Sequence, residues 1–181
     1  TTLELMVGLL TATRGSARVM GAPAGSPFAL RQLGYLPESP VWPDYLTGRE
    51  WIELAARLAG LDRAAARARG EVVIAAVALG LHADRRIAVY SKGLRQRLGL
   101  AQMMVHEPQL LLLDEPADGL DPEAAVLFRD LIVRHRAAGG TVLIASHQFD
   151  LLESVCDQVA ILDRGSLVAS GPLEQLAPTQ P

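Results

Sequence analysis

Two adjacent acids, Asp114 and Glu115, end the apolar run LLLLDEP. Four consecutive leucines have neither a helical nor an alternating period, which is typical of a strand buried on both faces of a parallel sheet. Ligands bind beyond the carboxyl ends of such strands, so this strand would deliver two carboxylates to a cleft. In extended geometry they point to opposite sides, and one can hold a hydrated metal ion while the other accepts a proton from water. A solvated acidic turn would explain the same residues.

Two other segments carry groups that suit a phosphate ligand. In YSKGLRQR, Ser91 can cap a helix and Gly93 allows close approach to the backbone, which together favour an anion at the helix start. His147 directly follows the apolar stretch TVLIAS, so it would also lie at the carboxyl end of a strand. An ordinary capped helix and a boundary histidine remain alternatives for these two segments.

The composition limits the class of protein. The 181 residues are 50% hydrophobic and 20% charged, enough for one globular domain with a real core. A net charge of -3 does not indicate general nucleic-acid binding. Cys156 is the single cysteine, which excludes an internal disulfide, and we expect it to be a small core residue on a helix face. The four histidines lack the spacing of a metal site.

Strands alternating with helices around two apolar runs predict an α/β fold with a parallel central sheet. We expect a loop over residues 22–27, and a strand over residues 141–146 that is buried on both faces. The other expected strands cover residues 16–20, 33–36 and 110–113, with a hairpin of 159–163 and 167–169. The expected helices cover residues 1–10, 49–61, 62–81, 91–106, 122–138 (capped by Asp121), 149–156 and 173–176.

The order and spacing of these pieces resemble the nucleotide-binding subunit of an ATP-binding cassette (ABC) transporter. LLLLDEP resembles Walker B, ADGLD the D-loop, IASH the switch-histidine loop, YSKGLRQRLGLA the signature helix and YLPE the Q-loop. TTLELMVGLL resembles the start of the helix after Walker A, and CDQVAILDRGSLVASG the closing segment. The resemblance implies a P-loop NTPase-like parallel sheet with a helical subdomain, without the N-terminal strands and the phosphate loop. Residues 38–108 would hold the Q-loop, helical subdomain and signature helix, and residues 109–181 the remaining motifs.

The same resemblance implies roles for individual residues. Glu115 would be the general base, and His147 would contact the γ-phosphate and hold the attacking water. Asp114 would hold Mg²⁺ through water. The other implied nucleotide or metal contacts are Thr1 (also a Mg²⁺ ligand), Thr2, Glu38 (also toward Mg²⁺), Ser91, Lys92, Gly93 and Asp121, with Ser91 and Gly93 serving ATP held by a second subunit and Asp121 communicating across that dimer.

Three departures from the family pattern matter. No GxxxxGK occurs in the sequence, and Lys92 is the only lysine. Glu38 stands where the family usually has glutamine, and a carboxylate cannot donate as an amide does. Lys92 and Leu94 replace the usual glycine and glutamine of the signature, which adds a charge able to reach a phosphate and removes a polar contact.

The resemblance predicts an ATP- and Mg²⁺-dependent motor at the cytoplasmic face of the membrane. It would be peripheral and paired with a transmembrane permease and a second ATP-binding subunit, without nucleic acid. YLPESP and YSKG favour cassettes of exporters. Two alternatives stay open: a truncated, non-hydrolytic cassette, and a soluble ABC ATPase acting on nucleic acid or ribosomes. The compact segment from residue 38 to 91 and the negative charge favour the transporter over the latter.

Aromatic residues concentrate in one proline-rich segment. Tyr35 is expected in a strand, whereas Trp42 and Tyr45 lie in a loop and Trp51 on an amphipathic helix. We predict that Trp42 and Tyr45 form an exposed patch, and that residues 41–46 line the groove that receives a helix of the permease. The alternative is that both aromatics fold back onto their own helix.

Overall fold

The computed structural model describes residues 1–118, 120 and 122–176 and contains two compact units, Thr1–Ala145 and Ser146–Pro181. The helices of the first unit are α1 (Thr2–Val7), α2 (Pro27–Gln32), α3 (Gly48–Leu58), α4 (Arg63–Ala76), α5 (Lys92–Met104) and α6 (Pro122–Ala137). Its strands are β1 (Arg18–Val19), β2 (Ala22–Pro23), β3 (Leu33–Leu36), β4 (Leu110–Asp114) and β5 (Thr141–Ala145). The second unit contains α7 (Phe149–Val155), β6 (Gln158–Asp163), β7 (Ser166–Pro172) and α8 (Leu173–Leu176).

The centre of the first unit is a parallel sheet of order β3-β4-β5. Leu36 pairs with Leu113, and Asp114 pairs with Ala145, so the carboxyl ends of the three strands share one edge. The leucine run lies in the middle strand and is fully buried, as the absence of periodicity predicted. The α/β fold with a parallel central sheet is therefore confirmed.

The expectation that β5 is buried on both faces is wrong. Its residues alternate between exposed and half-buried, and Leu143 is 40% exposed. Among the described residues β5 pairs with β4 alone, so it is the outer strand and fewer neighbours cover it. An apolar run predicts a strand, but it does not show whether one or both faces of that strand are covered.

A group of helices packs beside the sheet and fixes the position of α5. The start of α3 is fixed by a capping box, in which Thr47 and Glu50 satisfy each other's backbone N–H groups. Helix α5 lies close to β3 because Gly99 has no side chain; a Cβ there would come within 2.5 Å of Leu36. The middle of α5 is thereby held against Leu36, the last residue of β3.

Several predicted boundaries need correction. Helix α1 ends at Val7 because Gly8 adopts φ 79°, three residues before the expected end. The expected loop of residues 22–27 contains β2, and a helix that was not predicted, α2, begins at Pro27 with Ser26 as its cap. Helix α6 begins at Pro122 as expected, while the predicted cap Asp121 lies outside the described residues.

The second unit confirms the expected hairpin. Strands β6 and β7 are antiparallel around Arg164 and Gly165, both at positive φ. Cys156 is the half-buried residue that caps the end of α7, rather than a core residue on the helix face.

Candidate functional site

The two acids of LLLLDEP lie at the carboxyl edge of the sheet. Asp114 is the last residue of β4. Glu115 leaves the strand at φ 46°, and its N–H donates to the carbonyl of Ala145 at 2.9 Å. The extended backbone geometry predicted for Glu115 is therefore wrong, because the residue is left-handed. The chain turns at the position of the proposed base.

Tyr35 shows that α1 lies near Asp114. Burial raises the pKa of the Tyr35 hydroxyl, and the negative charges of Asp114 and Glu4 raise it further. Glu4 is in the first turn of α1, and Thr1 and Thr2 begin that helix. The Thr1 side chain makes no capping hydrogen bond, so the helix does not use its hydroxyl.

Glu38 reaches the same edge from the neighbouring strand. It follows the end of β3 by two residues and is exposed. Because β3 and β4 are parallel and in register, Glu38 and Asp114 both follow the carboxyl ends of adjacent strands. The structure thus places three predicted site residues, Glu38, Asp114 and Glu115, along one edge.

The signature segment begins a helix, as predicted. Ser91 caps α5, and its Oγ accepts a hydrogen bond from the N–H of Leu94 at 3.3 Å. Gly93 is in the first turn. Lys92, predicted to bind nucleotide, has its Nζ 3.0 Å from a carboxylate oxygen of Asp118. Sequence reasoning missed Asp118 as a partner, because no spacing rule links these two segments.

Two predicted residues are not brought to this edge by the described structure of the first unit. His147 belongs to the second unit and follows the last residue of β5 by two positions; beside it, the N–H of Gln148 donates to Ser146 Oγ at 3.1 Å. Asp121 lies outside the described residues. The roles of both remain predictions.

A buried amide that sequence reasoning missed contacts the acidic turn. Gln96 of α5 is 8% exposed, and its Nε2 donates to the carbonyl of Pro116 at 2.6 Å. The signal in the sequence is a polar residue on the same helical face as Leu100 and Met103, which are buried. A glutamine at such a position needs a hydrogen-bond partner.

The prediction of an exposed patch containing Trp42 is wrong. Trp42 is 6% exposed, and the indole N–H groups of Trp42 and Trp51 both donate to Gln102 Oε1, at 2.7 and 2.8 Å. A tryptophan can be buried when its N–H finds a partner, and Gln102 provides one for both. Val41 and Tyr45 are 92% and 73% exposed, so part of the predicted surface remains.

The comparisons with known proteins agree with this arrangement. The family model described as "ABC transporter" matches residues 1–118. The chain belongs to the ABC transporter family. A solved structure of the ATP-binding subunit of an ABC transporter superimposes with a TM-score of 0.87 at 30% identity, over 97% of this chain and 74% of the other.

Relatives in the family extend beyond this sequence. An ABC transporter ATP-binding protein of Nostoc sp. is 38% identical over 99% of this chain and 54% of its own length. The Bacillus subtilis ATP-binding protein YxlF is 36% identical over 99% of this chain and 60% of its own. Phospholipid-transporting ATPase ABCA3 of Mus musculus is 33% identical over 97% of this chain and 10% of its own. The chain therefore spans little more than half the length of the first two.

The residues at the edge suit ATP together with a hard divalent cation. Thr1, Asp114 and Glu38 carry hydroxyl or carboxylate oxygens, the ligands that Mg²⁺ prefers. Among the described residues, no group of three His, Cys, Asp or Glu side chains forms a metal site by itself. In the part of the chain that the structure describes, no helix has the length and apolar character needed to cross a bilayer.

Proposed function

We propose that this chain is the catalytic part of an ATP-hydrolysing subunit that drives a membrane exporter. The observation that carries the proposal is the shared carboxyl edge, where Asp114 and Glu115 end one strand and Glu38 follows the adjacent strand. Membership of the ABC transporter family supports it.

Within this proposal, Glu115 accepts the proton of the attacking water, and His147 holds that water and contacts the γ-phosphate. Phosphoryl transfer needs positioning and charge neutralisation more than covalent chemistry, and charged residues on fixed strands supply both. When bound, Mg²⁺ neutralises charge on the phosphates, and Thr1, Asp114 and Glu38 are the residues that would hold it. Thr2 supports the phosphates from the start of α1.

A second ATP-binding subunit completes the site in this proposal. Ser91 and Gly93 would contact ATP held by that subunit, because the start of α5 presents a capped helix end with a glycine in its first turn. Asp121 would communicate across the dimer. Lys92 can reach a phosphate there after leaving Asp118.

The partner in the membrane is proposed to be a transmembrane permease, with this subunit peripheral at the cytoplasmic face. ABCA3, a relative named as a phospholipid-transporting ATPase, supports transport across a membrane. Resemblance of YLPESP and YSKG to exporter cassettes supports export.

Replacement of the base tests the proposal. In a complete subunit carrying this chain, Glu115→Gln keeps the shape of the side chain and removes the proton acceptor, so we expect turnover to fall by roughly 10²–10⁴-fold. ATP binding should persist, and ATP-bound dimers should accumulate. The measurements are steady-state phosphate release, nucleotide binding and size-exclusion chromatography.

Asp130→Asn is the matched control, since Asp130 is an exposed acid on α6 well beyond the turn. Its turnover should equal that of the parent. Turnover of Glu115→Gln within a factor of a few of the parent would show that Glu115 is not the base.

A further inference from the structure

The contact between Gln96 and Pro116 joins the signature helix to the turn that carries Glu115. Gln96 and Arg97 are the only buried polar or charged residues in the described part of the chain. Gln96 Nε2 donates to the Pro116 carbonyl at 2.6 Å across twenty positions of sequence. Pro116 is itself buried, so its carbonyl depends on a protein donor.

The backbone of the turn is strained at Glu115, the proposed base. Glu115 has φ 46°, a conformation that costs of order 1–3 kcal/mol for a residue other than glycine and persists only where the surroundings enforce it. Two backbone bonds contribute: Glu115 N–H to the Ala145 carbonyl at 2.9 Å, and Asp118 N–H to the Glu115 carbonyl at 3.1 Å. The side chain of Gln96 restrains the peptide between Pro116 and Ala117, one residue after Glu115.

We infer that Gln96 is a positioning residue that fixes the direction of the Glu115 carboxylate by holding the Pro116 carbonyl. The inference rests on the proposed function of Glu115 as the base. Gln96 touches neither ATP nor water in this role; it acts through the backbone of the turn. A small displacement of a catalytic group can cost about 10²-fold in rate, so one buried bond is enough to matter.

Two further side chains of α5 contact acidic residues that follow Glu115 in the sequence. Lys92 pairs with Asp118 at 3.0 Å, and Arg97 lies 3.8 Å from Glu123. The Lys92–Asp118 pair is exposed on both sides and contributes little by itself, whereas Arg97 is buried and its partner Glu123 is exposed. Gln96 lies between Lys92 and Arg97 along the helix. Because its hydrogen bond to Pro116 is buried, water cannot take the place of the donor when Gln96 is replaced.

The first experiment separates positioning from stability in the complete subunit. Gln96→Met keeps length and volume but removes the donor, and we expect kcat for ATP to fall by about 10–10²-fold with KM changed little. The control is Gln102→Met on the same helix, which removes the acceptor for the indole N–H groups of Trp42 and Trp51. It should lower the melting temperature comparably while leaving kcat little changed.

The second experiment uses pH. In Gln96→Glu the carboxylate would face the Pro116 carbonyl as a second acceptor, whereas the protonated acid can donate as the amide does. The ratio of variant to parent kcat should therefore rise as pH falls, by about tenfold per pH unit above the pKa of that carboxyl. A side chain with a merely structural role would give a flat ratio.

The third measurement does not depend on hydrolysis. Amide hydrogen exchange at Glu115 and Asp118 should accelerate in Gln96→Met and stay unchanged in Gln102→Met. Unchanged exchange at both amides, or a kcat equal to that of the parent, would overturn the inference. A parent subunit without ATPase activity would overturn the proposed function instead, and the exchange rates would still decide whether Gln96 holds the turn.

Discussion

Glu38 stands where the family usually has glutamine, at the sheet edge where we propose that Mg²⁺ binds. It is exposed and follows the end of β3, next to the strand that carries Asp114. At this edge an oxygen facing the metal is shared by Glu and Gln, whereas an N–H donor belongs to Gln alone. Substitutions at position 38 can therefore show whether the site requires the side-chain oxygen or the N–H donor.

We predict that Glu38→Gln is tolerated and that Glu38→Ala is not. The alanine variant should lose activity because no side-chain oxygen remains for the metal or the water. Steady-state ATPase activity of the complete subunit, titrated with Mg²⁺, measures both variants. The half-buried Glu53, on α3, gives the control substitution Glu53→Ala. Equal activity of Glu38→Ala and the parent would remove Glu38 from metal and water positioning.

Lys92 illustrates how a surface charge can serve two partners. Its side chain is 65% exposed and that of Asp118 is 60% exposed, so the pair stabilises the fold by about 1 kcal/mol or less. A bound phosphate carries more charge than one carboxylate. Lys92 can therefore exchange Asp118 for a phosphate at little cost, which is consistent with its proposed place near nucleotide.

At the scale of elements, the segment of residues 41–46 divides into an anchored part and an exposed part. Trp42 is fixed to Gln102, and Asp44 pairs with Arg95 of α5 at 3.2 Å. Val41 and Tyr45 remain exposed on this anchored backbone. An exposed apolar surface on a rigid support is suited to binding a partner.

We predict that this exposed part contacts the permease. A cysteine at position 45, in a background where Cys156 is replaced by serine, should cross-link to the cytoplasmic loops of the permease. A cysteine at position 58 is the control, because Leu58 is 76% exposed on α3 outside the segment. No cross-link at 41 or 45, together with intact assembly and transport in Tyr45→Ala, would remove this segment as the docking site.

The sequence predicted elements well where a local rule decides the structure. Leucines without periodicity predicted the buried β4, and a proline at the first helical position predicted the start of α6 at Pro122. It failed where distant residues decide. The exposure of β5 depends on what lies beside it, the burial of Trp42 depends on Gln102, and the turn at Glu115 depends on Gln96, contacts that no spacing reveals.

At the scale of the molecule, Glu38, Asp114 and Glu115 lie at one edge of a three-stranded sheet, and few groups of residues 1–181 are proposed to hold phosphates. The 181 residues contain no GxxxxGK, whose backbone N–H groups and lysine would hold the β- and γ-phosphates. Lys92, the only lysine, is engaged with Asp118. Thr1 and Thr2 supply few donors for three phosphates, and the Glu38 carboxylate supplies none.

We therefore predict that a polypeptide of residues 1–181 alone hydrolyses ATP negligibly, whereas a longer one that carries the same residues behind a phosphate loop is active. Phosphate release and equilibrium binding of ATP should both separate the two. The Glu115→Gln variant of each polypeptide controls for contaminating ATPases, because true turnover depends on the base and contamination does not. Metal-dependent turnover of residues 1–181 that matches the longer polypeptide and falls in Glu115→Gln would contradict the prediction. It would also show that the edge formed by Asp114, Glu115 and Glu38 binds phosphates without the loop.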